Sequence, residues 1–490
     1  MPAKAPATAT SPLAARLLGD LVGIVGAENV LHDREELLVY ECDGFTINKK
    51  VPDVVVFPTS TEQVVAIVKL CNRLDVPFVP RGAGTSLAGG TLAVGGGVMI
   101  CLTRMNRILE VNTRDRYAIV EPGVVNVWLT RALTGRGFHY APDPSSQTAC
   151  TIGGNVATNS GGPHTLKYGV TVNHVRGVRL VLPDGTVADV GGVTADPPGY
   201  DLAGLVVGSE GTFGVVTRVT VGLTRDPEAG RTLLGVFDSV EAATETVSGI
   251  IAAGIVPAAL EMLDNLMIRA VEQAFGFGFP TDAGAVLIIE VDGLDVGLDR
   301  EARDIARIVE ARGGRVERSI TWRTRKEPEY VAIWKSRKSA FGAIGRLSPT
   351  FCTQDGVVPR TRLPDILRFI EGVSRRHGIR IANVFHAGDG NIHPILLFDE
   401  ADAAQVASVL QASHEILDEC IRLGGSVTGE HGIGVEKMAL MPRLFAPEDL
   451  AAMVAIRQGL NPDGRCSPSK MLPTGGHCIE RSAPGRRSSA

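Results

Sequence analysis

Ile152-Gly-Gly-Asn-Val-Ala-Thr-Asn-Ser-Gly-Gly-Pro-His-Thr-Leu-Lys-Tyr-Gly169 is the stretch on which the fold turns. Small, polar and amide-bearing residues fill a segment far longer than an ordinary turn needs. Successive backbone N–H groups in glycine-rich chain can form a concave anion site, and glycine lets backbone approach a ligand closely. Two companions share this character: Pro80-Arg-Gly-Ala-Gly-Thr-Ser-Leu-Ala-Gly-Gly90, which follows a strand, and Val207-Gly-Ser-Glu-Gly-Thr-Phe-Gly-Val-Val-Thr217. The first is no Rossmann fingerprint, because Leu87 stands at the third glycine position and no amphipathic helix follows. A Gly-Lys-Ser/Thr phosphate loop is also absent from the chain. Alone, that loop would read as a tight turn between strands. The three together make the N-terminal half a binder of something phosphorylated.

Around these segments the hydrophobic pattern predicts an α+β protein rather than a regular βαβ repeat. Residues 12–31 carry helical periodicity, and a polar stretch follows to Lys50. Val54–Pro58 and Pro77–Val79 read as strands flanking a helix over Thr61–Leu74, with Ser60 as its N-cap. Strand-like runs continue at Val98–Leu102, Ala118–Glu121, Val175–Leu182 and Gly214–Leu223. A charged, turn-rich piece at 224–232 marks a boundary. Beyond it, strands at Leu233–Phe237, Ala258–Met262, Ala285–Val291 and Ser319–Thr321 alternate with helices, including Val240–Ala252 and Asp299–Ala311. That order predicts an antiparallel sheet with helices on one face. The expected division is a lead-in over 1–50, a first domain over 51–228, a second over 229–473, and a disordered tail over 474–490.

Composition narrows the functional classes. The 490 residues are 44% hydrophobic, enough for large cores, and the net charge of −5 leaves no basic surplus for nucleic acid or anionic lipid. No apolar run reaches the roughly 18–20 residues of a spanning helix. The N-terminus lacks a secretory apolar core, so a cytoplasmic protein is expected, reaching a membrane only through a partner. The eight cysteines (Cys42, Cys71, Cys101, Cys150, Cys352, Cys420, Cys466 and Cys478) are scattered with no C-x-x-C pair. That argues against a disulfide framework, a zinc ribbon and an iron–sulfur cluster alike.

Near the C-terminal end, His386-Ala-Gly-Asp-Gly-Asn-Ile-His393 and Gly429-Glu430-His431-Gly432 are glycine-rich turns flanked by apolar runs. A hairpin around the first would bring its two histidines onto neighbouring strands, within reach of one metal ion. Glu430 can add a carboxylate ligand. A His-His-carboxylate set suits Zn, Mn or Fe, and leaves positions open for a substrate. Asp389 reads most simply as a turn residue.

The three glycine-rich segments resemble the FAD-binding domain of the vanillyl-alcohol oxidase (PCMH-type) flavoproteins. That resemblance implies a two-part FAD-binding domain. It places Arg81, Gly82, Gly84, Thr85 and Ser86 on the pyrophosphate. Asp143, Ser145, Ser146, Gly153, Gly154, Thr158 and Ser160 would surround the flavin ring and ribityl chain, with Glu210 and Val215 toward the adenosine half. Some relatives attach flavin to a histidine in the first loop. Thr85 stands at that place here, which implies non-covalent FAD.

Asn383-Val-Phe-His-Ala-Gly-Asp-Gly-Asn-Ile-His-Pro394 and Gly424-Gly-Ser-Val-Thr-Gly-Glu-His-Gly-Ile-Gly434 resemble the C-terminal signatures of FAD-linked D-2-hydroxyacid dehydrogenases, most of all the FAD-linked subunits of bacterial glycolate oxidases. The resemblance runs from about residue 20 to 473. It implies an antiparallel substrate (cap) domain with His386, His393 and Glu430 as metal ligands and His431 as catalytic base. Arg337, in Trp334-Lys-Ser-Arg337, would hold the substrate carboxylate, which a guanidinium can grip bidentately. One departure is Ser467-Pro-Ser-Lys470, where relatives carry Asn-Pro-Gly-Lys. The implied activity is oxidation of a small 2-hydroxyacid, glycolate or D-lactate. The implied partners are the iron–sulfur subunit and the second flavin-type subunit of a glycolate oxidase complex, or a quinone acceptor. A stand-alone D-lactate dehydrogenase, a non-catalytic flavin-binding subunit and a metal-dependent hydrolase are the rival readings.

Overall fold

A computed structural model describes residues 12–194 and 198–473. The predicted N-terminal lead-in before Pro12 and the predicted tail from residue 474 lie outside the described residues.

The chain opens with helix Pro12–Val25, whose Ala14, Leu17 and Leu21 are fully buried. They pack with Val64, Ile67 and Val68 of helix Thr61–Leu74 over a four-stranded sheet. Ser60 caps that second helix through its side chain, which accepts from the Gln63 amide, and Asp75 ends it in the left-handed conformation. The sheet runs in the order Val30–Leu31, Val54–Val56, Val98–Cys101, Phe78–Arg81, and the last three are parallel. A five-stranded antiparallel sheet follows, ordered Ile108–Asn112, Tyr117–Val120, Val215–Gly222, Val175–Val181, Val187–Gly191.

From Ala229 onward nine strands form one antiparallel sheet, with Ala229–Phe237, Ala285–Gly293, Ala259–Asp264 and Arg380–His386 side by side at its centre. Helices cover both of its faces, not the single face that element order suggested. Leu233, Phe237, Leu287 and Ile289 pack on one side against helices Val240–Ala252, Leu298–Ala311, Leu363–His377 and Ala403–Arg422. Leu234, Val236, Val286 and Ile288 pack on the other against Asn265–Phe275, Pro328–Lys338 and Ala340–Ile344. The reason is local: these strands are apolar at successive positions, not alternate ones, so neither face can be left to water. Each such side chain, fully buried, contributes roughly 1.5–3 kcal/mol. The charged piece at 224–232 is itself ordered, with a short strand at Thr224–Arg225. A strand already begins at Ala229, and the buried Arg231 spends its charge on Asp295 and Asp299 at 3.2 and 2.7 Å.

After helix Pro447–Leu460 the chain returns to the N-terminal half. Phe78 N–H donates to Arg465 O, and Ser467 N–H to Phe78 O. Asn461 Nδ2 donates to Thr212 O at 3.0 Å, and Lys470 Nζ to Gly90 O at 2.7 Å. The Ser467–Lys470 departure thus sits directly on the first and third glycine-rich segments.

The first histidine turn is the tight element of the large sheet. Strand Arg380–His386 pairs antiparallel with Pro394–Phe398, and the same register pairs His386 with Asn391. His393 therefore falls diagonally across from His386 on the same face. Gly390 makes the reversal with φ +82, and a Cβ there would stand 2.1 Å from Val358 O. Gly390→Ala is expected to lower the urea unfolding midpoint and cost more than the ~1–2 kcal/mol of the left-handed conformation alone, since backbone must also move.

Candidate active site

The glycine-rich segments come together. The first loop lies on the second: a Cβ at Gly82 would be 2.5 Å from Thr151 Oγ1. The second segment is not all loop. Thr151 caps a helix over Ile152–Thr158 by accepting from Gly154 N–H, and Asn159 closes it at φ 52. Together the segments wall a cavity of about 430 Å³. Arg81, Gly82, Gly84, Thr85, Ser86, Ser145, Ser146, Gly153, Gly154, Thr158, Ser160 and Glu210 all line it. So do His393, Glu430 and His431 from the other half of the chain. Four expected site residues stand outside that wall. Val215 points into the hydrophobic core beside Val56 and Phe78, and its neighbour Val216 reaches the cavity instead. Asp143, His386 and Arg337 stand behind the lining.

Glu210, besides lining the cavity, makes a contact between the two halves. Its carboxylate accepts from Ile433 N–H at 2.6 Å and Gly434 N–H at 2.7 Å, fastening the second histidine turn to the third glycine-rich segment. Burial raises its pKa against those hydrogen bonds.

Three ligand atoms of His386, His393 and Glu430 lie within 4.8 Å of one another. His386 Nε2 is 3.3 Å and His393 Nε2 3.2 Å from Glu430 Oε1. Those are nearly the edge lengths of a tetrahedron with ligand bonds of about 2.1 Å, roughly 3.4 Å. The opposite ring nitrogens are already committed: His386 Nδ1 to Glu261 Oε1 at 2.7 Å, and His393 Nδ1 to the Gln354 carbonyl at 3.3 Å. Such partners select the tautomer that presents Nε2 to an ion. With protein groups alone, burial opposes charge on His386, but Glu261 and Glu430 override it and hold its pKa well above the ordinary value. Glu430 is held well below its own: burial would raise it, and His386 and His393 more than compensate. The residues therefore fit a divalent cation.

His431 is set apart from this trio. Its ring stacks on His393 at 4.9 Å and 7°, with Nε2 3.8 Å from Glu430. Its Nδ1 has no hydrogen-bond partner among the described residues. Burial lowers its pKa to about 4, Asp355 opposing, so the ring is neutral at pH 7 and can accept a proton.

Sequence reasoning missed the carboxylates behind these ligands. Asp355 accepts from Asn391 Nδ2, Thr428 Oγ1 and the amides of Gly429, Glu430 and His431, at 2.6–3.3 Å. Lys437 Nζ, fully buried, lies 3.6 Å from it. Asp355, His393 and His431 also have metal-like spacing, but so many donors on Asp355 leave it to organise backbone instead. In sequence, Gln354-Asp-Gly356 gives no sign beyond a turn. Glu261 and Glu290 do leave a signal, each a charge interrupting an apolar run, in Ala259-Leu-Glu-Met-Leu263 and Leu287-Ile-Ile-Glu-Val291.

A second buried network joins the two halves at the cavity's other side. His164, inside the opening segment, bonds Asp143 at 2.9 Å and Glu290 at 3.3 Å. Asp143 also takes Lys338 at 3.1 Å, and Lys338 lines the cavity. Glu290 accepts from Trp334 Nε1 at 2.7 Å. Burial lowers the His164 pKa, but Asp143 and Glu290 outweigh it and raise it to about 9.

The folds of known proteins agree with this geometry. A model of the C-terminal domain of FAD linked oxidases matches residues 226–471, and an FAD binding domain model matches residues 52–191. The structure superposes on p-cresol methylhydroxylase with a TM-score of 0.79 at 16% identity, covering 95% of this chain and 98% of that one. The class is thus an α+β, PCMH-type flavoprotein with a sheet-rich cap domain. The glycolate oxidase subunit GlcD of Escherichia coli (strain K12) is 44% identical over 92% of this chain and 90% of its own length. That of Bacillus subtilis (strain 168) is 39% identical over 92% and 96%. The chain belongs to the FAD-linked oxidase family, and it binds FAD.

Two outcomes follow from the buried charges. His164 gains its proton on folding, with a pKa raised from 6.5 to about 9. Its stabilisation is complete below pH 6.5 and is lost as pH rises toward 9, by about 3 kcal/mol. Urea unfolding at pH 6 and pH 9 should show this decline, and His164→Gln should flatten it. Asp355→Ala leaves Lys437 without its counter-charge and several amides without their acceptor, so a loss of about 3–5 kcal/mol in the same assay is expected.

Proposed function

We propose that this chain is the FAD-bearing catalytic subunit of a 2-hydroxyacid dehydrogenase that takes glycolate, with D-lactate as the nearest competitor. The observation that carries the reading is the meeting of His393, Glu430 and neutral His431 on the wall of the cavity formed by the FAD loops. A cation trio and a base, placed where flavin binds, suit removal of a hydride from an alcohol carbon.

Bound FAD supplies the hydride acceptor, and a divalent ion on His386, His393 and Glu430 supplies a Lewis acid that lowers the pKa of an alcohol. Arg337 is suited to the substrate carboxylate, because its Nη1 and Nη2 are buried without a hydrogen-bond partner among the described residues. His431 takes the hydroxyl proton as the Cα–H bond breaks, and burial keeps it unprotonated beforehand. The product is the corresponding 2-oxo acid, glyoxylate from glycolate.

The electrons then have to leave. The seven cysteines among the described residues are unpaired and scattered through the fold, which supports an iron–sulfur partner subunit as the next carrier, alongside a second flavin-type subunit. No helix among the described residues is long and apolar enough to cross a membrane, so membrane contact is assigned to those partners. Thr85, on the cavity wall at the place where some relatives carry a linking histidine, supports non-covalent FAD.

His431→Ala should slow flavin bleaching by glycolate in stopped flow by about 10²–10⁴-fold while FAD stays bound. His386→Ala should lose metal, read by elemental analysis, together with turnover. Unchanged bleaching in both variants overturns the reading. A strong preference for D-lactate in the same assay overturns the choice of substrate.

A further inference from the structure

The cation trio and the carboxylate clamp would have to act on the two ends of one small substrate, yet they sit on different elements. His386 ends strand Arg380–His386, while Arg337 lies in helix Pro328–Lys338, which packs on the sheet. One side chain touches both. Glu261, in the middle of strand Ala259–Asp264, stands opposite His386 in the antiparallel register. Its Oε1 is 2.7 Å from His386 Nδ1, and its Oε2 is 2.6 Å from Arg337 Nε. Glu261 and Arg337 are wholly inaccessible to solvent, and His386 nearly so.

From this geometry we infer that Glu261 is a shared positioning residue, one carboxylate that orients both the metal-binding histidine and the substrate-binding arginine. The inference rests on the proposed roles of His386 and Arg337. A carboxylate accepts on both oxygens, so it can take the Nδ1–H of His386 on one and pair with the guanidinium on the other. Accepting at Nδ1 presents His386 Nε2 toward Glu430 and a cation. The ion pair at Nε leaves Nη1 and Nη2, which have no hydrogen-bond partner among the described residues, for a bidentate carboxylate. An isolated ion buried this deeply would be costly, and the Arg337 guanidinium offsets the charge of the carboxylate. The inward Glu in an apolar run is thereby explained: a hydrophobic residue would fit the core, but neither neighbour would be oriented.

Glutamine tests the point because it keeps the shape and offers one acceptor end in place of two. In Glu261→Gln, therefore, at least one neighbour meets an N–H donor, and the shared arrangement is broken. Two affinities are measured on the FAD-loaded protein. One is for Zn²⁺, by competition with a chromophoric chelator. The other is for oxalate, a dicarboxylate that cannot reduce flavin, read in metal-free protein from the flavin absorbance shift. His386→Ala should weaken zinc and leave oxalate unchanged; Arg337→Met should do the reverse. Glu261→Gln is expected to weaken both, zinc by about 10–100-fold. Loss of only one affinity, or of neither, in a folded Glu261→Gln protein overturns the inference.

If the single variant does not fold, Glu261→Leu combined with Arg337→Met removes both charges at once. It should still bind zinc about 10–100-fold more weakly than Arg337→Met alone; equal zinc affinities overturn the inference. Wild-type protein that binds neither zinc nor oxalate would instead sink the proposed site itself, a distinct result.

Discussion

The buried carboxylate of Asp355 is the constraint on which the histidine site depends. Asn391 reaches it from the first histidine turn, and Thr428, Gly429, Glu430 and His431 from the second. Two segments separated by more than thirty residues are thus referenced to one pair of oxygens. A charged acceptor suits this task better than a neutral one, because charge-assisted hydrogen bonds are roughly twice as strong and several amides can share it. Burial would raise its pKa, but the Lys437 ammonium 3.6 Å away and the hydroxyl and amides that donate to it keep it charged at neutral pH. Glu210 does the corresponding work one step out, tying Ile433 and Gly434 to the FAD-binding half. The site is therefore suspended between two carboxylates, one in each half of the chain.

Around that frame, charges are arranged in alternating layers. Arg337 pairs with Glu261, Glu261 with His386, and His386 with Glu430. On the far side Glu290, His164, Asp143 and Lys338 make a second chain of opposite signs. In a low-dielectric interior each link would be costly if broken, which gives the site rigidity in place of net stability. His431 stands at the end of the first chain with an open Nδ1, and burial leaves it neutral. Burial opposes charge on both rings: the flanking carboxylates override it on His386, whereas on His431 it prevails over Asp355 and leaves the proposed base neutral.

Much of this was legible beforehand. Ser60 and the helix it caps follow from local chemistry, as do the strands at Val54 and Val98 and the helix over Val240–Ala252. Helix termini depend on side chains within one turn, so a single chain segment carries the information. The hairpin around His386 and His393 was equally local, since glycine at 390 and the flanking apolar runs specify it. The second covered face of the large sheet was less visible, because element order is silent about which side a crossover takes. It could have been read from the unbroken apolar runs at Leu233–Phe237 and Ala285–Ile289.

By itself, then, the sequence determined the type and order of the elements, the glycine-rich segments, and the histidine and carboxylate residues that converge. Those are matters of local propensity and of motifs whose parts are adjacent in the chain. Only the tertiary structure decided that Glu261 lies between His386 and Arg337, that Val216 and not Val215 reaches the cavity, and that Asp355 holds the two turns together. These are contacts between residues as much as 125 positions apart, and strand register and helix packing set them. A glutamate interrupting an apolar run announces that it needs a partner. Which partner it finds is settled only when the sheet closes.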